Sequence, residues 1–290
     1  MSHTRPRCRF SALYLTSNLN GAAIAVTASN ESTCSMPSAA SVSALYRYPV
    51  KGLSAEKLEN AVLEPGGTMP SDRAFAIENG TTDFDPADPH YFPKTKFLML
   101  MKNERLAALE TTFDDTTGTL IISRKGKQVA KGDITSRIGR QLIEHFLTSY
   151  MPDDLRGPPH IVTAPAFSFS DVPMKVISLI NLESVRDLER ITGEPVDPLR
   201  FRANVYVDGL PAWTELNWEG ATFTIGALTL KGVMRIERCA ATNVNPQTAE
   251  RDMNLPQALR AGYGHMDMGI YCDVITGGTL ATGNTLTPPA

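Results

Sequence analysis

The chain has 290 residues, 42% of them hydrophobic, and a formal net charge of -3 at pH 7. This apolar content is enough to bury a core without disulfide bonds, and the weak negative charge disfavours nucleic acid as a partner. The four cysteines form no pair with zinc-site spacing, and no segment holds the ~20 consecutive apolar residues of a membrane-spanning helix. We therefore predict a soluble, enzyme-sized protein with no nucleic-acid partner and no membrane span.

The first forty residues differ from the rest in composition. They are rich in Ser, Thr, Ala and Asn, carry three arginines, and contain no acidic residue before Glu31. Such a segment is typical of a disordered extension or an organellar transit peptide, and it also arises from a start codon assigned too early, because Met36 precedes the first strand pattern. We predict an untargeted extension over residues 1–40 and a cytoplasmic protein, with an organelle as the alternative location.

Residues 41–152 are predicted to form an N-terminal, β-barrel-like domain. Short strand patterns bounded by turn signals lie at 42–52, 57–64, 73–77, 106–110 and 119–123. The last two flank Asp-Asp-Thr-Thr-Gly at 114–118, which predicts a hairpin. One helix is predicted over 136–150. Its apolar residues at helical spacing are Ile138, Leu142, Ile143, Phe146 and Leu147.

Residues 153–290 are predicted to form a second β-barrel domain with a few short helices. Its first twenty residues are rich in Pro, Gly, Ser and Asp, which is typical of a domain boundary. A strand at 175–180 precedes a helix that begins near Asn181 or Ser184 and ends at Gly193. Closely spaced strands follow at 203–207, 221–225, 228–231, 233–236, 269–274 and 278–281, with a short helix near 255–260. The predicted fold class is therefore β-rich α+β.

Cys239 is the leading candidate for a reactive or metal-binding side chain. It follows Arg238 directly, and a neighbouring cation favours the thiolate, which is the reactive and metal-binding form of cysteine. A lone cysteine is nevertheless more often a small core residue, so the local sequence alone favours a structural role. Cys272 alternates with apolar residues in a strand pattern and is predicted to be a structural thiol.

Other polar motifs give weaker signals. Residues 83–90 contain three aspartates and a histidine, but two prolines and the absence of a calcium-loop glycine predict a solvated loop instead of a metal site. His265 lies in a predicted loop and is left out of the site. Lys94 and Lys96 fit either an ordinary strand end or a cationic contact to a phosphate, and the sequence does not separate these alternatives.

Five segments in order carry a family resemblance. They are Tyr-Pro-Val-Lys-Gly at 48–52, Ser-Asp-Arg at 71–73, Arg-Phe-Arg-Ala-Asn at 200–204, Trp-Thr-Glu-Leu-Asn-Trp at 213–218, and Arg-Cys at 238–239 with Thr242, Asn245 and Pro246. This arrangement resembles MOSC proteins with an N-terminal MOSC β-barrel domain. That family includes the C-terminal domain of molybdenum-cofactor sulfurases, whose full-length forms also carry a pyridoxal-phosphate-binding domain, and the amidoxime-reducing proteins. The chain departs from many relatives at 92–96, where lysines replace a Thr-Ala-Arg-Gln pattern.

The resemblance implies a molybdopterin cofactor, with Cys239 as the molybdenum ligand and as a catalytic residue. It places Lys51 and Arg73 on the anionic side of the cofactor, and Ser170 with Asp171 near the metal. Asp171 is accordingly predicted to be catalytic, although capping of the next element is an alternative role. Arg202 and Asn204 are expected to share one face of a strand, with Ala203 pointing outward. Arg238 and Thr242 complete the predicted cofactor-binding residues.

The leading functional hypothesis is a molybdenum-dependent reductase of N-hydroxylated or N-oxidised small molecules. Without a cysteine cluster for an intrinsic iron–sulfur centre, electrons are expected from a separate ferredoxin, flavoprotein or cytochrome. The alternative is a sulfur carrier, in which Cys239 accepts a persulfide from a separate sulfur donor. A third hypothesis is a cofactor-binding module without turnover.

Overall fold

The described part of the chain is built mainly from short strands. The computed structural model describes residues 39–290, and its α-helices are α1 (Arg137–Tyr150), α2 (Leu182–Thr192) and α3 (Leu255–Tyr263). The strands are β1 (Ser41–Arg47), β2 (Glu56–Leu58), β3 (Asn60–Leu63), β4 (Ala76–Asn79), β5 (Glu110–Asp114), β6 (Thr119–Arg124), β7 (Lys127–Asp133), β8 (Pro159–Val162), β9 (Ile177–Asn181), β10 (Val205–Asp208), β11 (Thr222–Ile225), β12 (Leu228–Glu237), β13 (Asp267–Thr276), β14 (Gly278–Ala281) and β15 (Leu286–Thr287). The predicted β-rich α+β class is confirmed.

The largest sheet has eight strands in the order β15-β11-β12-β13-β9-β10-β1-β2. Its two sides approach each other, because Ser41 in β1 forms an isolated bridge to Thr285 just before β15. The Leu286 amide donates to the Ala40 carbonyl at 2.7 Å, and the Val42 amide donates to the Asn284 carbonyl at 2.9 Å. The sheet therefore curls, but one bridge replaces the full ladder that would close it between β1 and β15. The sequence predicts a separate barrel for each half, whereas this sheet combines β1 and β2 of the first half with strands of the second.

The interior of this sheet is apolar. Leu45, Leu179, Val205 and Leu230 are fully buried in one cluster that is contributed by four different strands. Each such burial contributes on the order of 1.5–3 kcal/mol. Cys272 of β13 is 0% exposed in the same cluster, and burial raises the pKa of its thiol well above the usual value. The prediction that Cys272 is structural agrees with this position.

The second cluster of buried residues lies where α1 packs on the β5-β6-β7 sheet. The Ser136 side chain caps α1 by accepting from the Gly139 amide at 3.1 Å. Of the residues expected on one apolar face, Ile143 and Leu147 are buried, but Ile138 and Leu142 are exposed. The helix is thus correctly predicted, whereas its apolar face is narrower than the spacing indicates.

Some predicted strands differ from the structure. Residues 104–108 form a 3₁₀ helix, so the strand expected at 106–110 begins only at Glu110, and the hairpin to β6 is otherwise present. The two strands expected at 228–231 and 233–236 are one strand, β12, whose pairing with β13 shifts register after Gly232. Both later helices are as expected, since Asn181 caps α2 and α3 begins at Leu255.

All described residues belong to one compact unit. The predicted extension over residues 1–40 lies outside the described residues except for its last two. Within residues 39–290, no helix is long and apolar enough to cross a membrane. The division of the chain at residues 152 and 153 stays a prediction.

Candidate functional site

A cavity of about 240 Å³ opens where loops from both halves of the described chain meet. All nine residues that the sequence analysis assigned to a site line this cavity. They are Lys51, Arg73, Ser170, Asp171, Arg202, Asn204, Arg238, Cys239 and Thr242. Some of these side chains are already hydrogen-bonded within the protein and hold the cavity walls in place. Others have unused donors and are candidates for contact with a ligand.

Cys239 lies directly after β12, where the chain leaves the large sheet, and it is partly buried. The Lys94 ammonium lies 3.3 Å from its sulfur. Burial lowers the pKa of Lys94, but the nearby Asp171 carboxylate and Cys239 sulfur outweigh burial and raise it above its usual value. A positive charge therefore lies beside the thiol, from a residue whose role the sequence left open.

Asp171 connects the two lysines of the cavity. Its carboxylate accepts a hydrogen bond from the Lys51 ammonium and lies 3.7 Å from the Lys94 ammonium. Partial burial raises the pKa of Asp171, but the charges of Lys51, Lys94 and Arg73 outweigh it and hold this pKa well below the usual range. The carboxyl group is consequently ionised at neutral pH.

Lys51 is positioned by a turn that only glycine fits well. Gly52 has φ +87°, and an added Cβ would lie 2.8 Å from the Leu98 carbonyl oxygen. The turn directs the Lys51 ammonium inward, where it donates to the Phe169 carbonyl at 2.8 Å and is 5% exposed as a residue. Burial lowers the pKa of Lys51, although Asp171 opposes this effect.

Arg73 forms an ion pair with the adjacent Asp72 and donates to the Arg202 carbonyl at 3.1 Å. Asp72 in turn accepts from the Tyr48 amide at 2.8 Å. The guanidinium of Arg73 lies 5.0 Å from the Tyr48 ring centroid. These contacts fix Arg73 at the cavity wall, with part of its donor capacity already used.

Arg202 is the least satisfied cation of the cavity. Within residues 39–290, its guanidinium has no hydrogen-bond acceptor and no ion-pair partner, and it lies 4.3 Å from the Tyr48 ring centroid. Burial lowers the pKa of this guanidinium. A partly buried cation without an ion-pair partner is available to an anionic ligand, and guanidinium binds phosphate in a planar, two-bond geometry.

Arg202 and Asn204 do not lie on a strand, so the prediction that they share one strand face is wrong. Residues 198–201 form a 3₁₀ helix that Asp197 caps and Pro198 begins, and Arg202 follows in the left-handed region with φ 52°. Ala203 does not point outward but is 0% exposed in a hydrophobic cluster. Arg202 faces the cavity because of this helix end, and β10 begins only at Val205.

Arg200, the first residue of the Arg-Phe-Arg-Ala-Asn segment, also lines the cavity. Its side chain is 2% exposed and is paired with Asp252 at 2.7 Å. It also donates to the Asn243 carbonyl at 3.2 Å. Its Nε donor is buried and has no acceptor among the described residues. Arg200 therefore combines a structural role with one unused donor.

Three predicted residues use their polar groups within the protein. The Asn204 carboxamide oxygen accepts from the Ser178 amide at 3.1 Å and from its hydroxyl at 2.9 Å. The Arg238 guanidinium donates to the Met268 and Phe201 carbonyls, each at 2.8 Å, and no hydrogen bond within residues 39–290 joins it to the Cys239 sulfur. The Thr242 hydroxyl donates to the Cys239 carbonyl at 3.0 Å. These contacts hold the cavity walls and the Cys239 loop in place.

Tyr271 is a further lining residue that the sequence analysis missed. It belongs to β13 and pairs in register with Met234 and Ser178, which line the same cavity. Burial raises the pKa of its phenol. The alternating pattern around Cys272 could have identified Tyr271. If Cys272 faces the core, its neighbour Tyr271 faces the opposite side of the sheet.

The donor set fits a cofactor that carries its own metal ligands. No group of three or more His, Cys, Asp or Glu side chains that would hold a metal ion occurs in residues 39–290. Cys239 supplies one soft sulfur donor, while Arg202 and the Arg200 Nε supply unused donors for an anionic group. A metal bound here would have one protein ligand and would take its other ligands from an anionic cofactor.

Comparison with known families agrees with this architecture. Residues 39–152 match the MOSC N-terminal beta barrel domain, and residues 166–287 match the MOSC domain. The chain therefore belongs to the MOSC family and has both of these domains.

Similarity to individual proteins is more distant. The chain is similar to the YuaD protein from Bacillus subtilis at 15% identity over 85% of this chain and 93% of that chain, with a TM-score of 0.40. It is also similar to YiiM from Geobacillus stearothermophilus at 21% identity over 38% of this chain and 52% of that chain, with a TM-score of 0.31. No curated protein matches the chain significantly.

Proposed function

We propose that the protein binds a molybdenum cofactor in the 240 Å³ cavity, with Cys239 as the molybdenum ligand, and reduces N-hydroxylated or N-oxidised small molecules. The observation that carries this proposal is that one cavity of a MOSC protein holds both a partly buried thiol and a guanidinium with no ion-pair partner among residues 39–290. A thiolate is a soft, strongly donating ligand, and a guanidinium recognises the phosphate of a pterin cofactor.

The cations divide into two groups by their partners. No described residue accepts a hydrogen bond from the Arg202 guanidinium or from the Arg200 Nε, so these two residues bind the cofactor phosphate. Lys51 and Arg73 already have carboxylate partners, and they contribute positive potential with weaker direct contacts. The Ser170 hydroxyl lines the cavity beside Asp171 and donates to the cofactor or substrate.

When bound, molybdenum would supply the two-electron redox chemistry by which the substrate oxygen atom is removed. Overall, the N–O bond breaks, and two electrons and two protons yield the reduced nitrogen compound and water. The electrons come from a separate one-electron carrier of the ferredoxin, flavoprotein or cytochrome class. The protein binds, orients and tunes the reacting groups.

Asp171 and Lys94 act on the substrate side of the cavity. The ionised carboxylate of Asp171 accepts hydrogen bonds from the N–H or O–H groups of the substrate and so orients the N–O bond. The Lys94 ammonium donates a hydrogen bond to the Cys239 sulfur and places a positive charge beside it. Lys51 holds Asp171 in place from the buried side.

A sulfur-carrier function is the second candidate. The Cys239 sulfur lines an open cavity and has a cation beside it, and an accessible thiolate is also what persulfide formation requires. In this function a separate sulfur donor would load Cys239, and the cavity would admit the acceptor.

Metal, pterin and sulfur analysis of freshly purified protein tests these alternatives. The proposed reductase is expected to contain molybdenum and pterin in near-equal amounts, and to reduce an amidoxime or hydroxylamine with a chemical electron donor. Cyanide-releasable sulfur on Cys239 without molybdenum would instead support the carrier function. Molybdenum and pterin without turnover of any N-oxidised compound would indicate a binding module.

A further inference from the structure

A second, smaller cavity of about 130 Å³ adjoins the first. The two cavities share four lining residues: Gly52, Leu100, Arg200 and Arg202. Cys239 and Asp171 line only the larger one. The smaller cavity therefore lies beyond the two arginines and away from the thiol.

Both arginines at this junction have unused donors. The Arg202 guanidinium has no acceptor within residues 39–290, and the Arg200 Nε is buried without one. The Arg200 side chain is 2% exposed, so water has little access to it. Two guanidinium groups meet at this junction, and Asp252 is the only carboxylate paired to either among the described residues. They favour an anionic group such as phosphate.

The smaller cavity itself is apolar. Its walls include Leu53, Ala55, Ala107, Leu199, Val244 and Pro246. The Tyr48 ring forms a further wall and lies 4.3 Å below the Arg202 guanidinium. Apart from Tyr48, Ser54 is the only residue of this lining with a hydroxyl. The Ser54 hydroxyl is already hydrogen-bonded to the Thr111 amide at 2.8 Å and to the Thr111 hydroxyl at 2.9 Å. An apolar cavity of roughly 150 Å³ holds one benzene molecule, so a single ring or a short alkyl group fits here.

We propose that the smaller cavity binds the organic group of a phosphate ester, whose phosphate is held by Arg200 and Arg202 at the junction. The phosphate contact is the one that the proposed function gives to the cofactor, so a free ester and the cofactor phosphate would compete for the two arginines. The organic group in the smaller cavity goes beyond the proposed function and depends on neither Cys239 nor a metal. Two sources share the chemistry. One is a free organic phosphate monoester. The other is a cofactor in the larger cavity. In that case a second ester group on the cofactor phosphate occupies the smaller cavity, and the phosphate is a diester.

Calorimetric titration of the full-length protein, produced in a host that makes no molybdopterin, tests the proposal. The probes are inorganic phosphate, methyl phosphate and phenyl phosphate. Because a buried ring adds favourable transfer free energy, phenyl phosphate is expected to bind at least about tenfold more tightly than inorganic phosphate. Methyl phosphate should fall between them or near inorganic phosphate, and Arg202→Gln should weaken all three.

Two variants fill the smaller cavity without removing the arginines. Ala107→Phe and Ala55→Leu should each reduce phenyl phosphate binding to the level of inorganic phosphate, while inorganic phosphate binds as in the wild type. That unchanged binding is also the control for folding. Equal affinities of wild-type protein for phenyl and inorganic phosphate would overturn the proposal, as would tight phenyl phosphate binding that persists in both variants.

Mass spectrometry of phosphate esters released by denaturing protein from an ordinary host distinguishes the two sources. A nucleotide or other ester released together with pterin identifies the cofactor as the source, whereas an ester without pterin identifies a free ligand. Absence of molybdenum from the protein would overturn the proposed function but would leave the titration result, and thus this inference, unchanged.

Discussion

The Lys94 ammonium lies 3.3 Å from the Cys239 sulfur, although 145 positions separate the two residues in the chain. Lys94 begins a short 3₁₀ helix in the N-terminal half, and Cys239 ends the connection from β12. The pair therefore joins the two halves at the point where the proposed chemistry occurs. It also makes Lys94, and not the adjacent Arg238, the cation in contact with the thiol.

Replacing Lys94 is expected to lower the reactivity of Cys239. Lys94→Met removes the positive charge beside the sulfur, so alkylation of Cys239 by iodoacetamide at neutral pH should slow by about tenfold. Peptide-resolved mass spectrometry measures the rate at Cys239 separately from the other cysteines. Lys96→Met is the matched control, because Lys96 lies in the same short helix but is exposed. Equal slowing in both variants would show that the contact is not the cause.

Asp171→Asn is expected to destabilise the protein by leaving Lys51 buried without a counter-charge. Breaking a buried pair costs several kcal/mol, but the Asp171 side chain is 44% exposed, so we expect about 1–2 kcal/mol. Urea unfolding measures this difference. The double variant with Lys51→Met should recover part of the loss, since it removes the uncompensated cation. A double variant less stable than Asp171→Asn alone would contradict the pairing argument.

The stability difference between wild type and Asp171→Asn should also depend on pH. The pKa of Asp171 is lower in the folded protein than in the unfolded chain, so its contribution is complete above the ordinary aspartate value of about 3.9. It is lost as the pH falls through the folded-state pKa. Urea titrations at pH 7 and at pH 5 should give the same difference, and the difference should shrink below about pH 4. A constant difference down to pH 3 would contradict the charge-based account.

Arg202→Gln separates binding from stability. Without a ligand, the variant should unfold at about the same urea concentration, because the native guanidinium is only partly buried and has no hydrogen-bond acceptor in the described chain. The same variant should purify with less pterin than the wild type. Arg190→Gln, at an exposed position of α2, should leave the pterin content unchanged. Full pterin content in Arg202→Gln would exclude Arg202 from the cofactor site.

Cys272 is expected to stay unmodified in the native protein. Its side chain is fully buried in the large sheet, and burial raises the pKa of its thiol. Iodoacetamide should therefore label Cys239 in native protein, and Cys272 only after addition of denaturant. Rapid labelling of Cys272 under native conditions would mean that the sheet opens far more readily than its packing indicates.

The sequence predicted the fold class and the positions that line the cavity better than the roles of those positions. Alternation of apolar residues and turn signals identifies strands such as β1, β6 and β13, because these patterns follow from the local geometry of a half-buried strand. The helix caps at Ser136 and Asn181 are equally local. The strand pairing that brings β1 beside β10 is not local, and only the family resemblance anticipated that both halves share one site.

The errors have identifiable physical causes. Asp197 and Pro198 form a helix-start signal, and reading it would have placed Arg202 at a helix end instead of on a strand. Asn204, Arg238 and Thr242 line the cavity with their polar atoms bonded to neighbouring groups in the protein, and their assignment to cofactor binding stays a prediction. The contact between Lys94 and Cys239 depends on tertiary packing across the two halves, and no local pattern specifies it.

The molybdenum-to-protein ratio of Cys239→Ser, compared with wild type and with Cys272→Ser, tests the central claim most directly. If Cys239 ligates molybdenum, the Cys239→Ser protein should lose most of its molybdenum, because a hydroxyl is a far poorer donor than a thiolate. Cys272→Ser should keep the wild-type ratio. An undiminished molybdenum ratio in Cys239→Ser would contradict the assignment of this cysteine as the metal ligand.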